Sequence, residues 1–241
     1  MRIRAHSDPD LAALAALIGD PSRAAILVAL MDGRALPAGD LARRAGISPQ
    51  TASAHLDRLF RGNLLAVEVQ GRHHYYRLHD ERVARLVEAM ATIAPAPPVR
   101  TPAQRDAART LRFARTCYGH LAGALGVALT GAIRERGYLN EADAGFIVTA
   151  AGDRWFRDFG IDLDALRGQR RPLARRCLDW SERRHHLAGA LGVAIASRCF
   201  DNGWIARVRD SRAVRLTDRG REAMRREFSL KIDNLSISSP N

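Results

Sequence analysis

The sequence predicts a mainly α-helical chain with small β-hairpin wings, an α+β fold in two parts. Three observations carry this reading. Apolar residues recur at helical spacing behind Ser, Asp and Thr caps. One stretch, LLAVEVQGRHHYYRLHD, alternates and turns at Gln70-Gly71, a hairpin pattern. Four prolines crowd APAPPVRTPAQ (94–104) and part that pattern from a half with an internal repeat.

The elements follow in order. Leu11, Leu14, Leu17 and Ile18 make one apolar helical face. DPSRAAILVAL opens a second helix, with Asp20 as cap and Pro21 in the first turn. LPAGDLARRAG is a short helix closed by Gly46. In ISPQTASAHLDRLFRGN, Ser48 caps, Pro49 takes the first helical position and Gly62 ends the helix. The hairpin comes next, then the amphipathic ERVARLVEAMATIA. Helix, helix, short helix, turn at Ala45-Gly46-Ile47, helix, hairpin, helix is the order of a winged helix-turn-helix. The expected divisions are 1–94 for this domain, 95–104 for a linker, 105–228 for a second domain and 229–241 for a polar tail.

Charge points to a partner. The 241 residues carry a net +12, and of 38 basic residues only Lys231 is lysine. Arginine's planar fork suits phosphates and guanine edges, so nucleic acid is the leading partner. Only +2 of the excess lies in residues 1–94. No apolar run approaches the roughly 18 residues of a membrane span, and no secretory leader pattern is visible. The expectation is a cytoplasmic protein with no membrane partner. Cys117, Cys177 and Cys199 lack disulfide-framework spacing, which predicts free thiols. No Walker loop, G-x-S-x-G, H-E-x-x-H or C-x-x-C occurs, which speaks against an enzyme.

In a winged helix-turn-helix the helix after Ser48 enters the major groove. Gln50 and Ser53 then offer hydrogen bonds to base edges, with His55 and Arg58 further along. Ser48, Thr51, Arg43 and Arg44 suit phosphate oxygens. Arg72, His73 and His74 sit at the wing tip, within reach of the backbone or minor groove.

DPSRAAILVAL, DLARRAGISPQTASAHLDRL and GNLLAVEVQGRHHYYRL together resemble the ArsR family of bacterial repressors, over residues 10–92. The resemblance implies a homodimer on a pseudo-palindromic operator, repression, and control by a small effector. It also implies dimer contacts from helices around 10–19 and 80–93. Two departures stand out. Pro37 and Gly39 occupy the positions of the family's Cys-x-Cys metal site. The last helix has His79, Asp80 and Glu88 but no later histidine for the family's other site. Sensing is expected elsewhere in the chain.

The second half holds a repeat. HLAGALGVAL (120–129) returns as HLAGALGVAI (186–195), GYL (137–139) as GWI (203–205), and Thr149-x-x-Gly152 as Thr217-x-x-Gly220. This predicts two tandem winged-helix-like units, each opening on a long helix led by a histidine. Their Gly-x-x-Gly spacing suits close helix packing. Were the two helices to pair, Cys117, His120, Cys177 and His186 could converge as a Cys2His2 set for a soft metal or haem. Alternatively, the thiols are simply buried and the histidines bond backbone at helix starts. Tyr118, Trp180 and Arg183 extend the same candidate region toward a small-molecule effector. Three readings stay open: a regulator controlled by an effector at its second domain; a thiol-, metal- or haem-dependent redox sensor or enzyme with a vestigial DNA-binding segment; and a non-specific architectural DNA binder.

Overall fold

The computed structural model describes residues 8–232, Ala144 apart, together with Leu235. Most of the expected tail, 229–241, lies outside the described residues. The chain forms two compact units, one of residues 8–30 and 34–84, the other of 31–33 and 85 onward.

The first unit is a winged helix-turn-helix. Helix α1 (Leu11–Ile18) is capped by the Asp10 carboxylate and leads to α2 (Pro21–Leu30). Arg23 is buried; its guanidinium donates to the Leu17 and Ala16 carbonyls and so satisfies the end of α1. Strand β1 (Leu36–Pro37) precedes α3 (Ala38–Ala45), which stops at Gly46 in the left-handed region (φ 67°). Helix α4 (Pro49–Arg61) starts as expected, with Ser48 accepting from the Thr51 amide. Strands β2 (Leu65–Gln70) and β3 (His73–Leu78) form the wing, and β1 joins the sheet in the order β1-β3-β2. Pairing of Gln70 with His73 puts the turn at Gly71-Arg72, one residue later than the sequence suggested. Ile26, Leu27, Leu30, Leu41, Leu56, Leu59, Leu65 and Leu78 form the core, each almost wholly buried.

Helix α5 (Glu81–Ile93) crosses the division, which falls between Ala84 and Arg85 rather than at the proline-rich stretch. Pro102 is not linker either. It opens α6 (Pro102–Phe113) behind a capping box made by Thr101 and Gln104.

The second unit is built from two copies of one pattern. The first copy is β4 (Arg115–Cys117), β5 (His120–Ala122), α7 (Gly123–Glu135), β6 (Leu139–Ala142), β7 (Gly145–Val148) and α8 (Ala150–Asp158). After a short α9 (Leu163–Arg167), the second is β8 (Arg175–Leu178), β9 (His185–Ala188), α10 (Gly189–Asp201), β10 (Ile205–Arg207), β11 (Val214–Leu216) and α11 (Asp218–Phe228). Thr149 and Thr217 cap the last helix of each copy, accepting from Gly152 and Gly220. Leu125, Leu129, Ile133, Phe156, Leu191, Ile195, Met224 and Phe228 lie in one shared core.

The duplication is present, but each copy opens on a hairpin where a helix was expected. The repeated decamer is half strand and half helix, and His120 and His186 lie on β5 and β9. The glycines therefore have another purpose. Gly123 and Gly189 hold positive φ (81° and 84°) at the strand-to-helix junction. Gly126 and Gly192 let the first helical turn fold back on its own strand: a Cβ at either would stand 2.4 Å from the Leu121 or Leu187 carbonyl oxygen. Cross-packing joins the copies, with α7 against β9 and α10 against β5.

Gly126→Ala is expected to destabilise the fold by about 1–3 kcal/mol, because the clash is with backbone that cannot step aside. Gly131→Ala, in the same helix with open space around it, should stabilise by about 0.5–1 kcal/mol. Urea denaturation of the two variants checks the contrast.

Candidate functional site

Two sets of residues are candidates, one in each unit. In the first, the helix-turn-helix presents a polar surface. Gln50, Thr51, Ser53 and Arg58 are exposed along α4, and Arg43 is exposed on α3. Arg72, His73 and His74 are exposed at the wing tip. Other residues are already engaged. Ser48 Oγ accepts from the Thr51 amide and lies 2.9 Å from Thr51 Oγ1, so it builds the helix start. Ser53 Oγ donates to the Pro49 carbonyl and keeps its lone pairs for an outside donor. Arg43 bridges to Asp40 at 3.1 Å, and Arg44 is half-buried. His55 is the clear departure. It turns inward, 3.4 Å from Arg23 and 3.8 Å from Asp20, and belongs to the packing of α2 against α4 rather than to a reading surface.

In the second unit the four anticipated donors do converge, by a route the helical reading missed. Cys117 pairs directly with His120 across the β4–β5 hairpin, and Cys177 with His186 across β8–β9. Residues directly opposite on a hairpin project from the same face. Each copy thus supplies one thiol and one imidazole from a single face. Two residues separate the pair in the first copy and eight in the second, which hid the equivalence in the sequence. The hairpin turn Tyr118-Gly119 has positive φ at both residues, which suits so tight a connection.

The two hairpins meet at the histidines, whose Nε2 atoms are 3.0 Å apart. Glu88, from α5, completes the group: the Cys177 thiol donates to its carboxylate at 2.7 Å. Ligand atoms of Glu88, Cys117, His120, Cys177 and His186 all lie within 4.8 Å of one another, and all but Glu88 are buried. Donors around one zinc-like ion, at about 2.0–2.1 Å for nitrogen and 2.3 Å for sulfur, are at most about 4.6 Å apart. The cluster therefore has the dimensions of a single-ion site. The same closeness leaves no room for a porphyrin ring between these donors, so haem does not fit here.

Asp179 organises the cluster from behind. It is buried and accepts from Arg115 at 2.7 Å, from the Gly123 amide at 2.7 Å, and from Ser181. Its Oδ2 is 3.4 Å from His186 Nδ1, so His186 turns Nε2 toward the other donors. Burial alone would raise the pKa of Asp179, but His186 and Arg115 hold it far below the usual carboxylate range. Burial disfavours the His186 cation, yet Asp179 and Cys177 outweigh it and raise its pKa to about 9. His120 is pushed the other way by burial and by the neighbouring His186 charge. His186 therefore favours its charged form and His120 its neutral form, with their Nε2 atoms facing each other. Burial also raises the Cys177 pKa, keeping the thiol protonated without a metal.

The other anticipated effector residues are engaged with neighbouring groups. The Tyr118 ring lies under Arg171 and the Trp180 ring under Arg115. Arg183 donates to the Thr92 carbonyl at the end of α5. A cavity of about 480 Å³ lined by Trp155, Phe159, Trp204, Arg198 and others shares no residue with the cluster. Cys199 lies apart, in the core of α10, and burial raises its thiol to about 12. Asp179 escaped the sequence reading, and Glu88 was weighed only against the family's site on the last helix, never with the donors of the second half.

Comparison with known proteins matches this division. A Helix-turn-helix domain family profile fits residues 18–68. Over 225 residues the chain is 45% identical to YdfF, an uncharacterized HTH-type transcriptional regulator of Bacillus subtilis, covering 93% of this chain and 100% of that one. It is 36% identical over 83 residues to the HTH-type transcriptional regulator CmtR of Mycobacterium bovis, 34% of this chain and 70% of the other. A solved homodimeric winged helix-turn-helix DNA-binding domain from Mycobacterium bovis, described as a possible ArsR-family regulator, is 30% identical over 34% of this chain and 76% of its own, with a TM-score of 0.33. Fold and polar surface define a DNA-binding winged helix-turn-helix protein. The chain belongs to the HTH-type transcriptional regulators, and its first unit is of the ArsR type. Likeness to YdfF runs on through the duplicated unit, whereas the CmtR match spans only a third of the chain.

Asp179→Asn should cost about 3–5 kcal/mol, because it strands the buried Arg115 cation. A urea melt measures the loss, and Ser181→Ala, which leaves the ion pair intact, should cost far less.

Proposed function

We propose that the protein is a metal-responsive transcriptional regulator: its homodimer binds a pseudo-palindromic operator, and a borderline-soft divalent ion at the Cys/His cluster controls that binding. The observation that carries the effector assignment is the convergence of two thiols, two imidazoles and one carboxylate within single-ion distance. Two sulfurs with two nitrogens suit zinc-like ions far better than the hard cations calcium or magnesium. Cys117, His120, Cys177 and His186 would hold the ion, and Asp179 would orient His186. The ion replaces the proton between the histidines and the two thiol protons, so binding tightens as pH rises.

Gln50 and Ser53 are the proposed base-reading residues. Thr51, Arg58, Arg43 and the wing tip at Arg72, His73 and His74 are the proposed phosphate contacts. Dimerisation is supported by unpartnered apolar surface on two helices. Helix α1 reads LAALAALI, yet Leu11 is 70% exposed, and on α5 Ile93 is 83% exposed. A second copy of this chain is the partner these exposed apolar side chains suit. Repression is the mode proposed, and the cytoplasm is the compartment proposed.

Protein purified from cells should carry one zinc-class ion per chain by elemental analysis, and Cys117→Ser should carry none. Metal-free wild type unable to bind added Zn2+ or Co2+ would reject the assignment. On an operator selected from a randomised duplex library, Gln50→Ala should lose about 1–3 kcal/mol of preference over random DNA. Arg72→Ala should weaken both DNAs alike, and His55→Ala should alter stability rather than preference. Unchanged operator preference in Gln50→Ala would remove α4 as the reading head.

A further inference from the structure

Four of the five cluster donors come in symmetric pairs from the two hairpins, and they suffice for a tetrahedral ion. Glu88 stands outside that symmetry. It is the donor that comes from α5, and its residue is half-buried where the others are buried. Helix α5 begins at Glu81 in the first compact unit and continues from Arg85 in the second. Within the second unit its later turns are held to the β8–β9 hairpin twice, by Cys177 to Glu88 and by Arg183 to the Thr92 carbonyl.

Chemistry at the Cys177–Glu88 contact must change when an ion binds. Without metal, a thiol proton bridges sulfur and carboxylate. Coordination removes that proton to solvent and leaves a thiolate beside a carboxylate. The two like charges stay together only with the ion between them. Glu88 must then either join the ion or move away, and in both cases α5 feels the change.

We infer that Glu88 is the fifth ligand and that its bond to the ion, carried along α5, passes metal occupancy to the DNA-reading unit. This rests on the metal reading above. It assigns holding the ion to the hairpins and reporting it to Glu88. A coupling of this kind has a typical size of roughly 5–150-fold in affinity.

The test uses the full-length protein as wild type, Glu88→Gln and Cys117→Ser, with Co2+ as spectroscopic probe, Zn2+ as effector and the selected operator as DNA. Wild type should bind one Co2+ with strong sulfur-to-metal charge-transfer absorption, and Zn2+ should change its operator affinity roughly tenfold or more. Glu88→Gln should still bind one Co2+ with the same charge-transfer band. Its visible ligand-field bands should intensify as the coordination number falls. With each protein compared against its own metal-free operator affinity, the Zn2+ effect in Glu88→Gln should drop to about twofold or less. Wild-type ligand-field bands in Glu88→Gln would overturn ligation, and a full Zn2+ effect would overturn the reporting role. Complete loss of Co2+ uptake in Glu88→Gln would also overturn the division of labour. Failure of wild type itself to bind metal would instead reject the underlying metal reading, and Cys117→Ser calibrates that outcome.

Discussion

The second unit turns on one buried carboxylate. Asp179 meets the Arg115 cation, the amide that opens α7, its own loop and the His186 ring. A lone carboxylate in that position would shed its charge, since burial costs an ion far more than any single hydrogen bond returns. Three sets of donors converging on two oxygens, with the His186 ring 3.4 Å away, reverse that balance. In doing so they lock β4, α7, β8 and β9 together. The imidazole of His186 is then aimed by electrostatics rather than by packing alone.

Duplication explains why a ligand cluster exists at this point. Each copy places a thiol and an imidazole on one face of a tight hairpin, and each copy's helix packs on the other copy's second strand. Two half-sites related in this way meet where the hairpins meet, and two such halves make a four-donor set. The two copies are not equal there. Asp179 backs His186 but sits in a loop that the first hairpin, with its two-residue turn, does not have. The histidine pair is consequently polarised, one ring favouring its charged form and the other its neutral form.

The first unit was legible because its signals are local. Ser48-Pro49, Gly46 and the alternating wing each act within a few residues; the structure places the first two as read and the wing with its turn one residue later. His55 misled because helical position alone does not tell whether a polar side chain faces solvent or a buried Arg23. The second unit hid its hairpins because HLA is as compatible with strand as with helix, and only tertiary packing decides so short an apolar run. Cys117 and Cys177 looked inequivalent because one hairpin turns in two residues and the other in six. Glu88 is 29 residues from the nearest cysteine, so no spacing rule reaches it.

Placing thiols, imidazoles and carboxylates together in a core is a poor way to make a core stable. Well-packed aliphatic side chains of similar volume serve stability as well or better. What such a cluster provides is a difference between two states. Without an ion it is two hydrogen bonds, Cys177 to Glu88 and His120 to His186. Metallated, as proposed, the five residues would hold one ion. An ion shifts an equilibrium only by its differential affinity for the two states, and on the proposed reading that difference would lie largely in whether Glu88 accepts from the Cys177 thiol or joins the ion. Linkage then works in both directions: whatever factor the ion imposes on DNA affinity, DNA imposes on ion affinity. On the proposed reading, metal and operator would act on one shared conformational equilibrium, with α5 as the element common to both.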